Sequence, residues 1–362
     1  MAAERYRGVR VLVTGHTGFK GAWLVAWLLA EGADVMGLAL PPEPGRPSLF
    51  EDLDLAGRVA SRFIDIREAG AVREAVAAFR PQVVFHLAAQ ALVRRSYVDP
   101  LATFAVNVMG TAHVLEAARR TDSVRAVVCV TSDKCYDNRE WVWGYRETDP
   151  LGGKDPYSAS KAAAEIVAAS YRHALVPGDR LRVATARGGN VIGGGDWSED
   201  RLLPDLVRAI GAGTPLVLRN PGAVRPWQHV LELLNGYLLL GARLLDGDDR
   251  AAGAWNFGPA RSGEVAVVRL VAEALAAWGG EPIPVRLEPS AIAEAGILKL
   301  DTAKAEAALG WRPLLDFPRT VRLTMDWYRA YAERAAAARS LVEEQIADYR
   351  RLAAGDEESS RS

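Results

Sequence analysis

The sequence predicts an α/β protein built on a doubly wound parallel sheet, with a smaller C-terminal α/β lobe. Three observations carry that prediction. Short apolar runs alternate with helix-like stretches through the first 190 residues. The runs at 83–88 and 126–131 contain no Asp, Glu, Lys or Arg, as strands covered on both faces require. The first run, at 9–13, leads directly into Gly15-x-x-Gly18-x-x-Gly21, which opens a helix, the order of a dinucleotide-binding crossover.

Element by element, residues 9–13 make the first strand and Phe19–Ala30 the first helix, stopped by Gly32. A second strand at 33–40 ends at Pro41-Pro42-Glu43-Pro44-Gly45, which breaks regular structure. The third strand is 62–64, the helix after it Ala69–Phe79, and the fourth strand 83–88. A long helix over 101–120 precedes the fifth strand at 126–131. A helix over 157–173 precedes the sixth at 182–186. Beyond about Asn190 the pattern loosens. Gly193-Gly194-Gly195, Pro221 and Pro226 cut the chain into pieces around helices at 202–210, 231–245 and 265–278. This gives a Rossmann-type domain over 1–190 and a C-terminal lobe over most of 191–355, with an interdigitated boundary. A frayed polar tail is expected at 356–362.

Composition narrows the function. The 362 residues suffice for a large core plus a lobe, and 49% hydrophobic with 25% charged residues is ordinary for a globular protein. A net charge of −1 gives no global attraction to nucleic acid or to a membrane surface, so anionic ligands must be met by local basic groups. Cys129 and Cys135 have no metal-binding or redox spacing, so no metal is expected and a reducing cytoplasm is the simpler setting. Residues 1–10 are charged and lack the apolar centre of a signal peptide. No uncharged apolar run approaches the ~20 residues of a membrane span.

The chemistry-bearing residues cluster at strand ends. The glycines at 15, 18 and 21 permit a tight turn and let a pyrophosphate approach a helix N-terminus. The acid expected at the end of the second strand, for an unphosphorylated ribose, is missing. Arg46 and Lys20 are the cations that could meet a 2′-phosphate, with solvated or structural charges as the plainer reading. Asp65-Ile66 fits either an adenine-edge contact or a helix N-cap. His16 is bulky for a phosphate-hugging loop and is expected to weaken cofactor retention. Tyr157 and Lys161 lie one turn apart on one helix face, where a lysine cation can make a phenol a usable base near neutral pH. The run Ser132-Asp133-Lys134 offers more acid–base groups than alcohol oxidation needs.

Gly15-x-x-Gly18-x-x-Gly21, His86-Leu87-Ala88-Ala89-Gln90, Asn107 and Tyr157-x-x-x-Lys161 together resemble the extended short-chain dehydrogenase/reductases that act on nucleotide sugars. Leu309-Gly310-Trp311-Arg312-Pro313 resembles that family's C-terminal signature, so the likeness covers about 10–327. Three stretches resemble its 4,6-dehydratase branch, with CDP-linked glucose as the implied substrate. They are 15–21, the run 131–145, and Arg225-Pro226-Trp227-Gln228-His229-Val230.

The resemblance implies NAD as cofactor, held by Gly15, His16, Thr17, Gly18, Phe19, Gly21, Asp65, Ile66, Leu87, Ala88, Ala89, Asn107, Tyr157 and Lys161. It implies oxidation of the sugar at C4, loss of water across C5 and C6, and return of the hydride to C6. Tyr157 would take the C4 hydroxyl proton, Lys161 would lower the tyrosine pKa, and Ser132 would hydrogen-bond O4. Asp133 would be the acid for the C6 hydroxyl. Lys134 stands where related dTDP-glucose dehydratases carry a glutamate base. It serves as the C5 base if its pKa is depressed, or as a cation stabilising the enolate. Asn190, Arg219, Arg225 and Trp227 would contact the substrate, with core packing an equal reading for Trp227. A homodimer or homotetramer is implied, with helices 101–120 and 157–173 able to pair. A 4,6-dehydratase of another nucleotide sugar, a UDP-sugar 4-epimerase and a non-catalytic dinucleotide sensor or scaffold are the competing readings.

Overall fold

The structure is a computed structural model that describes residues 3–176, 180–280, 283–288 and 295–361. Seven parallel strands form its sheet: β1 (Arg10–Thr14), β2 (Asp34–Ala39), β3 (Ala60–Phe63), β4 (Val83–His86), β5 (Ala126–Val130), β6 (Arg182–Gly188) and β7 (Ala254–Phe257). Their spatial order is β7-β6-β5-β4-β1-β2-β3. The order reverses at β1 and β4, and there the Gly-rich turn leaves β1, at the crevice where such sheets take their ligands.

Side chains alternate along the strands and so feed two cores. Val11, Val13, Phe85 and Val128 face α1 (Phe19–Ala30), α6 (Val230–Leu245) and α9 (Ala338–Arg361). Leu12, Val84, Val127 and Cys129 face α2 (Ala69–Phe79), α3 (Pro100–Arg120) and α4 (Pro156–Ser170). A third core lies in the C-terminal lobe. There α5 (Leu202–Ala212), α7 (Val267–Trp278) and α8 (Phe317–Glu333) surround Leu206, Trp227, Leu270 and Met325.

The chain crosses between the two bodies. β7 and α6 come from beyond residue 190, yet β7 pairs with β6 and α6 packs on β5 and β6. The C-terminal α9 returns to the back of α1, where Arg350 pairs with Glu31 at 3.0 Å and Tyr349 donates to buried Glu232 at 2.6 Å. The tail expected to fray continues α9 in its backbone to Arg361.

Other boundaries differ for physical reasons. The helix expected over 101–120 is interrupted. Asp99 caps its start by accepting from the Ala102 amide at 2.9 Å, and Ala105–Gly110 is π-helical. Gly110 lets Ile66 pack close against this stretch, since a Cβ there would meet the Ile66 side chain at 2.5 Å. The helix of 157–173 is α-helical only to Ser170 and ends in a π turn, Tyr171–Leu175. The helix expected from 265 begins at Val267, since Glu264–Ala266 pairs antiparallel with Val224–Pro226. Helix α3 is long and apolar enough by length and composition to cross a membrane, but in the fold it packs between α2 and α4 as a core helix.

Candidate active site

One cleft of about 560 Å³ runs along the carboxyl ends of the strands, from the Gly-rich turn to the C-terminal lobe. At its base Gly15 adopts φ +75°, and a Cβ there would lie 2.8 Å from the Ala88 amide nitrogen. A Cβ on Gly21 would lie 2.0 Å from the Gly15 carbonyl oxygen. The turn is therefore a backbone cradle at the start of α1, fit for a pyrophosphate. Thr14 Oγ1 accepts the Leu87 and Ala88 amides at 3.1 Å and lies 2.7 Å from His86 Nδ1, bringing the strip 87–89 beside the cradle. Burial, with Lys161 nearby, pulls His86 down to about 3, so the ring is neutral. Asp65 and Ile66 line the outer end, Asp65 being paired with Arg67 at 2.6 Å.

Two expected cofactor contacts sit elsewhere. The His16 side chain is fully buried under β2, where a Cβ on Gly37 would meet its ring at 2.1 Å; it lies 3.1 Å from Ser61 Oγ and packs edge-on against Phe50. The ring thus leaves the phosphate path clear, and the bulk held against it points inward. Asn107 lies behind the lip. Its side chain accepts the Gln90 amide at 2.8 Å and donates to the Gln90 carbonyl at 3.0 Å and to Ser160 Oγ at 2.8 Å. It shapes the 87–92 lip and helix α4 rather than lining the cleft. Thr17 Oγ1 donates to the Leu40 carbonyl, tying the turn to the end of β2. Arg46 is committed to Glu43 and Glu199, while Lys20 lines the cleft. Burial and the nearby Lys161 and Arg201 lower Lys20 to about 7.

The acid–base groups meet over the end of β5. Asp155 caps α4, accepting the Ser158 amide at 2.9 Å, which sets Tyr157 and Lys161 on the face toward β5. Lys161 Nζ lies 3.4 Å from the Val130 carbonyl, and burial lowers the lysine to about 8. Tyr157 is raised by burial and drawn back by Arg201 and by the nearby Ser132 hydroxyl. Ser132 Oγ also donates to Asp133 Oδ1 at 2.9 Å. Asp133 is 3% exposed, its Oδ2 has no partner among the described residues, and burial raises its carboxyl. Lys134 Nζ stands 6.0 Å from the centre of the Tyr157 ring.

From the lobe, Asn190, Arg219, Arg225 and Trp227 all reach the cleft. Arg219 is held by Asp200 at 2.8 Å, and Arg225, 7% exposed, donates to the Val224 carbonyl at 3.0 Å. Trp227 is 5% exposed and donates to the Val265 carbonyl, so it is a core residue with one edge on the cleft. Sequence reasoning missed Arg201, which also lines the cleft and acts on Tyr157. No motif marks it, because it reaches the site from the lobe across tertiary space.

Gly-rich crossover and Tyr–Lys pair on one cleft define a short-chain dehydrogenase/reductase of the extended kind. Residues 12–324 match the GDP-mannose 4,6 dehydratase family model, and the chain belongs to that family. Among curated relatives, the CDP-glucose 4,6-dehydratase of Salmonella typhimurium is 45% identical over 331 residues, covering 90% of this chain and 92% of that protein. Among solved structures, DesIV, a dTDP-glucose 4,6-dehydratase from Streptomyces venezuelae with NAD bound, has a TM-score of 0.78 at 27% identity. That match covers 92% of this chain and all of that one. The UDP-glucose 4-epimerase of Thermus thermophilus, also with NAD, has a TM-score of 0.74 at 30% identity and covers 89% and 99% of the two chains.

Proposed function

We propose that this protein converts CDP-D-glucose to CDP-4-dehydro-6-deoxy-D-glucose and water, with NAD as its cofactor. The observation that carries the reading is Asp133. It is a buried carboxyl whose one oxygen takes the Ser132 hydroxyl and whose other has no partner among the described residues. C4 epimerisation needs oxidation and reduction only, whereas loss of the C6 hydroxyl needs an acid held ready. The 45% identity to the Salmonella CDP-glucose enzyme supports CDP-glucose as the substrate.

The residues divide the work. The Gly15–Gly21 cradle and the 87–89 strip hold the dinucleotide, and the chemistry NAD supplies when bound is storage of one hydride between C4 and C6. Tyr157 as phenolate takes the O4 proton, and Ser132 donates to O4 as it becomes a carbonyl. That carbonyl acidifies the C5 hydrogen. Lys134, in its neutral amine form, takes the C5 proton while Asp133 gives its proton to the C6 oxygen, which leaves as water. Lys134 then returns a proton to C5. Arg219, Arg225 and Asn190 take the pyrophosphate. Leu101, Phe104 and Met109 on α3, Ile166 on α4, and Tyr97 and Val98 just before α3 expose apolar side chains, which supports a homo-oligomer paired through these helices. The proposed setting is the cytoplasm, in deoxysugar biosynthesis.

The test is CDP-glucose deuterated at C4, incubated with enzyme and NAD and followed by NMR and mass spectrometry. Deuterium at C6 of a 4-keto-6-deoxy product is expected. Turnover of UDP-glucose to its C4 epimer, with no CDP-glucose product, would replace the dehydratase with an epimerase. Cofactor binding without turnover of any nucleotide sugar would favour a sensor.

A further inference from the structure

Beneath the site lies a buried ion pair. Glu165 stands one turn beyond Lys161 and two beyond Tyr157, on the same face of α4. Glu165 and Arg187, on β6, are each 3% exposed and meet at 2.8 Å. The carboxylate also accepts from Thr131 Oγ1 at 2.5 Å and from Thr185 Oγ1 at 2.7 Å. Arg187 donates further to Tyr136 OH at 2.8 Å and to the Glu147 carbonyl at 3.3 Å. Thr131 directly precedes Ser132, and Arg187 stands three residues before Asn190. One carboxylate thus joins the helix of Tyr157 to the strand ends bearing Ser132 and Asn190.

A buried ion pair costs desolvation and is weak evidence of a purely stabilising role. Its surroundings point to another use. Lys161 is faced by Glu165 on its own helix, by Cys129 and Cys135 from β5 and the turn after it, by His86 from β4 and by Lys20 from α1. Burial pushes the Cys129 thiol up to about 12 and Cys135 well above its ordinary value, and His86 is neutral. Lys20 is cationic or neutral. Arg172, just past the end of α4, and Arg187 face Glu165 from its far side. Among these groups Glu165 alone brings negative charge to Lys161, in a place where burial pulls the lysine toward neutrality.

We infer that Glu165, clamped by Arg187, Thr131 and Thr185, is a positioning residue of this site, holding Lys161 in its ammonium form and tying the Ser132–Asp133 strand end to α4. The inference rests on Tyr157 and Lys161 being the catalytic pair.

The test compares wild type with Glu165→Gln and with Glu165→Gln/Arg187→Met, which removes both buried charges and so spares the fold an orphaned guanidinium. The pH dependence of kcat and the KM for CDP-glucose are measured. The Tyr157 phenol is titrated separately, by ultraviolet difference spectroscopy against the Tyr157→Phe background. The alkaline limb of kcat is expected to move down by about one pH unit and the phenol titration to move up. We expect kcat to fall ~10–100-fold while KM changes little. A folded double variant with the wild-type alkaline limb and phenol titration overturns the inference. Lys161→Arg, whose cation does not titrate in this range, should lose the limb altogether. A limb that persists there overturns the catalytic assignment itself, and the role of Glu165 with it.

Discussion

Burial raises the Asp133 carboxyl, the direction that suits a group meant to give up a proton. It is buried, one oxygen takes the Ser132 hydroxyl, and the other has no partner among the described residues. Lys134 and Arg225 work against burial, so the raised carboxyl is a balance that one substitution can tip. Asp133→Asn removes the transferable proton and keeps the shape. Its expected outcome is C4 oxidation, seen as reduced-cofactor absorbance on adding CDP-glucose, with dehydration slowed ~10²–10⁴-fold. The same substitution has a sign for stability. A carboxyl raised in the folded state adds stability below its unfolded value and loses it as pH rises through its folded value. At neutral pH Asp133→Asn should therefore melt higher than wild type, by calorimetry.

At the scale of elements, the π-helical stretch Ala105–Gly110 and the C-terminal α9 each do something a regular helix could not signal in advance. The π stretch delivers Asn107 to both backbone groups of Gln90 and to Ser160. Asn107→Ala should leave those groups unsatisfied, destabilise by ~1–3 kcal/mol and weaken NAD binding in a calorimetric titration. Helix α9 is pinned where Glu232, 1% exposed, receives Tyr349 OH and the Leu314 and Leu315 amides. Burial lifts this carboxyl from 4.5 to about 7, so its stabilising contribution is present below 4.5 and lost as pH rises through about 7. Melting temperatures of wild type and Glu232→Gln should diverge across that window, wild type losing more. The glycine loop, the Tyr–Lys spacing and the Ser132-Asp133-Lys134 run were legible in the sequence because each is a local pattern tied to one strand end or one helix face. Glu165, Arg187 and Arg201 were not, because their meaning lies in contacts between elements distant along the chain. His16 reads as an obstacle in sequence and is a buried prop in the fold, since no local pattern tells which way its side chain leaves the loop.

At the scale of the molecule, the exposed apolar side chains of Val98, Leu101, Phe104 and Ile166 predict assembly. Leu101→Glu/Ile166→Arg should shift sedimentation toward a monomer while leaving the cleft residues in place. The interleaving of the two bodies reaches further. β6 is completed by β7, contributed from Ala254–Phe257, and the face of the sheet beneath it is covered by Val230–Leu245. A nascent chain whose first 190 residues have cleared the exit tunnel has therefore exposed every cofactor-cradling glycine and the whole Tyr–Lys pair. The sheet bearing them still has a bare edge at Arg182–Gly188 and an uncovered apolar face. The nascent chain must carry that unfinished sheet until at least residue 257 has cleared the exit tunnel. This makes the interval between those two points the stretch of synthesis during which a chaperone has most to protect.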